Sequence, residues 1–148
     1  MRLLRLTFAM FSLAILYGCA CCPPKIASVF GRLPEGRIEQ ALKANPLGPK
    51  ENFKIITLET AEGSSYHVVQ VRDKERLHRH NTHSAKVVIW RGNGTLFLDG
   101  KPQSIKEGDR LEIIHGHPHA YTNESSNPTV AVVQFTPPFD GKDTEYLE

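Results

Sequence analysis

From Phe53 onward, apolar and polar side chains alternate along most of the chain, and this period of two is the strongest constraint on its fold. Alternation places successive side chains on opposite faces of an extended strand, so that one face can be buried. The alternating segments are rich in β-branched residues, and Asp99-Gly100 is typical of a two-residue hairpin. Short strands at this spacing predict an all-β sandwich or barrel. The expected strands are 53–59, 65–71, 86–91, 95–98, a short one at Ile105, 110–114, 119–123 and 129–136.

A short helix and a tail flank these strands. Residues 34–44 favour a helix because Pro34 suits its first turn and because Ile38 and Leu42 share one face. The tail at 137–141 contains two prolines and cannot continue a central strand, so we expect it to pack across a sheet edge.

The N-terminal residues are typical of a targeting segment. Two arginines precede an uncharged apolar run that ends at Gly18, which is the form of a secretory signal. The sequence Leu16-Tyr17-Gly18-Cys19 resembles the cleavage box of bacterial lipoproteins, although that family prefers a small residue where Tyr17 stands. The resemblance implies a signal peptide over 1–18, a lipid on Cys19, a tether over 19–33 and an envelope location, either periplasmic or at the cell surface. Simple secretion and an uncleaved membrane anchor are the alternatives.

The charge excludes nucleic-acid binding, and the positions of the cysteines exclude disulfides and cysteine-based metal sites in the body of the chain. The two arginines of the N-terminal segment account for the formal net charge of +2, so the remaining chain is neutral and lacks the basic face that nucleic-acid binding requires. All three cysteines lie next to the signal segment, at positions 19, 21 and 22. The body of the chain therefore has neither a disulfide framework nor a cysteine-based metal site, and Cys21 and Cys22 have no assigned role.

Histidines concentrate in the strand region, where six of the seven lie between positions 78 and 119. His78 and His80 are two residues apart and therefore lie on the same side of an extended segment. His119 follows the turn Gly116-His117-Pro118 and opens another strand. Two imidazoles on one strand and one on another predict a site for a single divalent transition metal, with iron, zinc, manganese or nickel as candidates. A purely structural role for these histidines is the alternative.

Two segments around these histidines resemble the two sequence motifs of the cupin superfamily. In 72–94, His78, His80 and Gly92 are in register with the first motif, while Arg72 stands where the motif has glycine. The second motif, over 108–123, matches at four positions, Gly108, Gly116, His119 and Asn123, and has Ile114 in place of its proline. The resemblance implies a double-stranded β-helix, or jelly-roll barrel, at about 53–136, within a single domain over 34–148. It also assigns His78, His80 and His119 as metal ligands and implies a homodimer formed through an outer sheet.

The chain departs from the motif at the glutamate that serves as a further metal ligand. That glutamate would fall at Ser84 or Ala85, so the expected ligand set is three neutral histidines without a carboxylate. The metal then keeps its full +2 charge, which favours an anionic ligand at the open positions. We also expect the affinity for metal to fall as the pH drops through about 6.5, because each ligand must be neutral to bind.

Other residues of this region are weaker candidates. Tyr121 has the inward parity of His119, and its hydroxyl is a candidate catalytic group. His83 is either a catalytic group and fourth ligand or a solvated histidine at the rim. His115 and His117 either donate hydrogen bonds to the metal ligands or are exposed. Trp90 points to the outer face, where it is a candidate dimer contact.

Two functions remain open from the sequence. One is a metalloenzyme of the oxygenase, isomerase or hydrolase type that acts on a small organic anion. The other is a binding module that holds a small ligand or a metal at the cell surface without turnover. No clear carboxylate accompanies the predicted ligands, which counts against the enzyme.

Overall fold

A computed structural model describes Phe30, Leu33 and residues 35–148. The predicted signal peptide, the lipidation site at Cys19, both other cysteines and all tether residues except Phe30 and Leu33 lie outside the described residues. Among the described helices, none has the length and apolar character needed to cross a bilayer.

The described elements follow the order helix and then strands that the hydrophobic pattern predicts. Helix α1 spans Glu35–Ala44 and confirms the expected helix, since Ile38 is fully buried and Leu42 packs in the same cluster. The strands after it are β1 (Phe53–Ala61), β2 (Ser64–Val71), β3 (Lys74–His80), β4 (Ser84–Arg91), β5 (Asn93–Leu98), β6 (Lys101–Lys106), β7 (Arg110–Ile113), β8 (His119–Asn123), β9 (Thr129–Thr136) and β10 (Thr144–Tyr146).

The strands form two five-stranded sheets. Sheet I has the order β1-β2-β9-β4-β7 and sheet II the order β10-β3-β8-β5-β6. Neighbouring strands are antiparallel throughout, and this arrangement is consistent with the expected jelly roll. Among the described strands the ladders stay within each sheet, so the jelly roll consists of two paired sheets and does not close into a continuous barrel.

All eight strands predicted from alternation are present, and the Asp99-Gly100 hairpin joins β5 to β6 as expected. Both hairpin residues have positive φ, 52° and 74°, which suits a two-residue turn. Full-length β3 and β10 were not predicted. The β3 sequence is mostly charged and lacks apolar alternation, and β10 is a three-residue strand paired with the edge of β3. The sheet edge is thus met by residues 144–146, which follow the segment 137–141 that was predicted to pack there.

The two faces of sheet I contact different parts of the chain. Helix α1, with Phe30 and Leu33, covers the outer face and forms one apolar cluster with Val68, Trp90 and Val132, among others. Trp90 therefore points outward, as its parity predicts, but it is 2% exposed and its Nε1 donates a hydrogen bond to Glu39 (3.0 Å). It is consequently unavailable as a dimer contact, and the homodimer stays a prediction.

The inner faces of the two sheets enclose a second apolar cluster, which surrounds the candidate site. Its members come from both sheets and include Ala85, Ile89, Leu96 and Phe135. Toward β3 and β8 the packed core gives way to an open pocket lined by the three histidines of the cupin motifs.

Candidate metal centre

The three predicted ligands converge between the sheets. His78 and His80 lie on β3 and His119 on the adjacent β8, where it is the register partner of His78. One ligand nitrogen from each of the three lies within 4.8 Å of the other two. All three side chains are buried, with exposures of 4–7%. The histidines are therefore close enough to bind one metal ion, as the sequence predicts.

Backbone hydrogen bonds fix the orientation of two of these rings. His78 Nδ1 donates to the carbonyl oxygen of Arg76 (2.7 Å), and His119 Nδ1 donates to that of His117 (3.0 Å). In each ring this leaves Nε2 with the lone pair that a metal requires. Nδ1 of His80 is buried without a hydrogen-bond partner among the described residues, an unusual state for a buried polar atom. This donor set fits a transition-metal ion.

Burial keeps two of the three ligands, His80 and His119, neutral. Desolvation, followed by repulsion from His78, lowers the pKa of both His80 and His119 to about 4. Both imidazoles are therefore uncharged at neutral pH and ready to bind. Protons compete with a metal for these two nitrogens at a lower pH than the 6.5 expected from free imidazole.

The residues at the position of the missing cupin glutamate have other contacts. Ala85 is 3% exposed and belongs to the inner apolar cluster. The hydroxyl of Ser84 accepts a hydrogen bond from the backbone N–H of His115 (3.1 Å).

A carboxylate that the sequence analysis missed lies beside the histidines. Oε1 of Glu75 is 3.8 Å from Nε2 of His78, and the Glu75 side chain is 24% exposed. Desolvation raises the pKa of this carboxyl, and the opposing effect of His78 is smaller. Glu75 is three residues before His78, and three residues along a regular strand lead to the opposite face. The sequence therefore did not predict Glu75 at the site.

The histidines line a pocket of about 460 Å³ between the sheets. Its walls are mainly apolar, and Val87 and Ile89 face it as their parity predicts. Lys74 and Arg76 contribute to the lining from exposed positions, and the Arg76 guanidinium lies 4.6 Å from the ring centre of Tyr146. The arrangement provides a metal-binding wall, apolar sides and cations near solvent.

Tyr121 faces the pocket, but its hydroxyl takes part in a buried hydrogen-bond chain. It lies 2.8 Å from Oγ1 of Thr129, which donates to the side-chain oxygen of Asn123 (2.7 Å). The Asn123 amide in turn donates to the carbonyl of Arg72 (2.7 Å), just before β3. Asn123, a residue of the second cupin motif, thus connects the start of β3 to the start of β9, where Thr129 lies. Desolvation raises the Tyr121 pKa, which keeps the phenol neutral. The catalytic role of Tyr121 stays a prediction.

His83 lies outside the three-histidine group and is buried, not solvated at the rim. Its Nδ1 pairs with Oδ2 of Asp143, and its Nε2 lies 2.9 Å from the carbonyl oxygen of Pro138. Both ring nitrogens of His83 therefore already have partners in the tail. The structure thus places His83 as a link between the β3–β4 turn and the C-terminal tail.

Asp143 accepts several hydrogen bonds in this link. Burial opposes its ionisation, but the bonds from His83 and from the backbone of Thr82 and His83 outweigh that effect and hold its pKa well below the usual range. The fixed tail places Phe139 in the pocket wall, where its ring stacks on Phe135 with 4.6 Å between ring centres.

We expect Asp143→Asn to lower the free energy of unfolding by about 3 kcal/mol, because it removes the buried carboxylate that accepts hydrogen bonds from His83 and from the backbone of Thr82. The side chains of His83 and Asp143 are only 7% and 8% exposed. Urea denaturation at pH 7 measures the change. Asp140→Asn, in the same tail but exposed, is the matched control, since Asp140 only accepts a local bond from Lys142. Equal stability of the two variants would contradict the assignment.

The remaining histidines lie away from the three-histidine group. His115 and His117 are exposed, and His117 pairs with Asp99 at 2.8 Å. His67 is 2% exposed, packs edge-on against Phe135 and bonds the Ser65 hydroxyl (2.7 Å).

Comparison with known proteins agrees with this geometry. The model of the Cupin domain family matches residues 65–135, which include all three histidines. An uncharacterized protein of Aquifex aeolicus is 32% identical over 111 residues, covering 75% of this chain and 90% of that protein.

Two solved structures share the fold. Pac13 of Streptomyces, described as a nucleoside dehydratase, has a TM-score of 0.59 at 13% identity, over 68% of this chain and 82% of that one. A protein of Thermus thermophilus has a TM-score of 0.60 at 16% identity, over 69% and 95% of the two chains. The motif residues, the paired antiparallel sheets and the family match lead to one assignment: the chain belongs to the cupin superfamily.

Proposed function

We propose that the protein binds one divalent transition metal through His78, His80 and His119 and presents it to a small organic anion in the adjacent pocket. One observation carries the proposal: three buried imidazoles converge on the wall of a pocket large enough for a small molecule. When bound, the metal supplies a Lewis acid that polarises an oxygen of the ligand.

The pocket lining supports a ligand with an apolar body and an anionic group. A volume of about 460 Å³ lies within the range of small-molecule sites, which combine apolar walls with a few polar groups. Lys74, Arg76 and the metal supply positive charge, whereas the walls between them are aliphatic and aromatic. Among the structural neighbours, Pac13 has been solved with the small molecule uridine.

Metal content of the purified protein, measured by mass spectrometry, tests the proposal. We expect about one equivalent of iron, zinc, manganese or nickel per chain, or the same stoichiometry after titration of the chelator-treated protein under anaerobic conditions at pH 7.5. Absence of metal binding in both experiments would contradict the proposal. If a metal binds, its identity determines whether oxygenase, isomerase or hydrolase activity is assayed on organic acids.

The second candidate is a module that holds its ligand without turnover. It is favoured by the engagement of both acid–base candidates that the sequence offers, Tyr121 with Thr129 and His83 with Asp143. Ligand binding to the metal-loaded protein without consumption of any tested acid would support this candidate. Substrate loss that depends on the metal would exclude it.

We further propose that the mature protein is anchored to the bacterial envelope through a lipid on Cys19. The support is the sequence alone, in which an apolar run ends at Leu16-Tyr17-Gly18-Cys19. Expression in bacteria with radiolabelled palmitate is expected to label the wild type and not Cys19→Ser. Labelling of neither protein would contradict lipidation.

A further inference from the structure

A bulge in β3 brings Glu75 onto the same face as the metal ligands. In the pairing of β3 with β8, Glu75 is opposite Tyr121 and His78 is opposite His119. Three steps along β3 thus match two steps along β8, which means that β3 carries one extra residue. The extra residue reverses the parity of the strand, so that Glu75 and His78 both face the pocket.

The position of Glu75 suits a group that acts on a bound metal. Its Oε1 lies 3.8 Å from Nε2 of His78, the nitrogen left free for a metal by the hydrogen bond from Nδ1. Two ligand atoms on one tetrahedral zinc are about 3.4 Å apart. The group of ligand atoms within 4.8 Å of one another contains the three histidines and not Glu75, so the Glu75 side chain must turn from its present position toward His80 and His119 to share a metal with them.

Electrostatics gives the carboxylate a function there. A divalent ion held by three neutral imidazoles keeps a charge of +2, which is costly to bury beside aliphatic walls. The cupin motif normally offsets one unit with a glutamate, but this chain has Ser84 and Ala85 at that position. Glu75 is the acidic residue that lines the pocket among those described.

We propose that Glu75 supplies the carboxylate of the metal site. Glu75 precedes the His78-Arg79-His80 segment and replaces the glutamate that the cupin motif places after that segment. The inference rests on the proposed function and deepens it, because it completes the ligand set. It also provides a carboxylate beside the metal, whose apparent absence had counted against an enzyme.

The test is the affinity of the purified protein for Zn²⁺ and Co²⁺, measured by competition with a chromophoric chelator at pH 7.5. We expect Glu75→Gln to raise the dissociation constant by more than about 100-fold, beyond the range typical of groups that only support a ligand, and to change the visible spectrum of the Co²⁺ form. Glu75→Asp keeps the charge and is expected to retain more affinity than Glu75→Gln. Glu112→Gln removes an exposed carboxylate from β7 and is the matched control, with affinity within about twofold of wild type.

Thermal melting without metal distinguishes a role at the metal from a structural one. Removing a partly buried carboxylate should leave the melting temperature of the metal-free protein unchanged or raised, while the rise produced by zinc becomes smaller. The proposal is overturned if Glu75→Gln binds zinc as tightly as wild type, or if it unfolds without metal when Glu112→Gln does not. Failure of wild type to bind any metal would instead overturn the proposed function, and this inference with it.

Discussion

Replacing His119 with alanine is expected to abolish metal binding. The variant should retain less than about a tenth of an equivalent of metal after purification, and its dissociation constant should rise by at least about 100-fold, beyond the range typical of groups that only support a ligand. His119 is the ligand that β8 contributes, and it lies opposite His78 across the ladder. Without it, the two remaining imidazoles belong to one strand and approach the ion from one side.

His117→Ala is the matched control for this experiment. His117 is two residues away in the same loop, but it is exposed and pairs with Asp99. We expect the His117→Ala variant to bind metal as wild type does, although it lacks a side chain close in sequence to the ligand His119. Circular dichroism of both variants confirms that the sheets are intact before the affinities are compared. Equal metal content in the His119 and His117 variants would contradict the three-histidine site.

The core of this site could be predicted because regular strands convert sequence spacing into position. Two-residue spacing places His78 and His80 on one face, and the second motif places His119 at the start of a strand. Both inferences need only local geometry and a family pattern. The same holds for the Asp99-Gly100 hairpin, where adjacent residues determine the turn.

Glu75 and His83 could not be placed in this way, for two different reasons. The bulge that turns Glu75 inward has no signature in the mostly charged sequence of β3, so regular parity gives the wrong face. The partner of His83, Asp143, is 60 residues away and follows a tail with no apolar alternation. Contacts between residues so far apart in the sequence depend on the path by which the chain returns to the sheet edge, and a local sequence pattern does not predict that path.

The second large expected effect is loss of stability in mild acid. Desolvation lowers the pKa of three buried histidines, His67, His80 and His119, from the ordinary 6.5 to about 4. Between these values the unfolded chain binds a proton at each histidine and the folded chain does not. Stability is therefore complete above pH 6.5 and falls as the pH decreases toward 4.

The carboxyl groups of Glu75 and Asp143 modify this dependence without reversing it. The lowered pKa values of Glu39, Glu51 and Glu145 contribute only below their ordinary 4.5. The raised pKa of Glu75 acts in the opposite direction and offsets at most one of the three protons. The lowered pKa of Asp143 contributes only below its ordinary value of 3.8, where stability is lost further. Unfolding of the metal-free protein should thus take up two to three protons near pH 5, which corresponds to about 3 kcal/mol per pH unit.

Urea denaturation in a metal chelator at several values between pH 7 and pH 5 measures this slope. His67→Gln is the informative variant, because His67 bonds only the hydroxyls of Ser65 and Thr57 among the described residues and is not a metal ligand. It should reduce the slope by one proton, about 1.4 kcal/mol per pH unit, whatever its effect on stability at pH 7. A free energy of unfolding that changes by less than about 1 kcal/mol between pH 7 and pH 5 would show that these imidazoles are solvated. The neutral, preformed ligand set would then be wrong, and metal binding would require each histidine to lose its proton near pH 6.5.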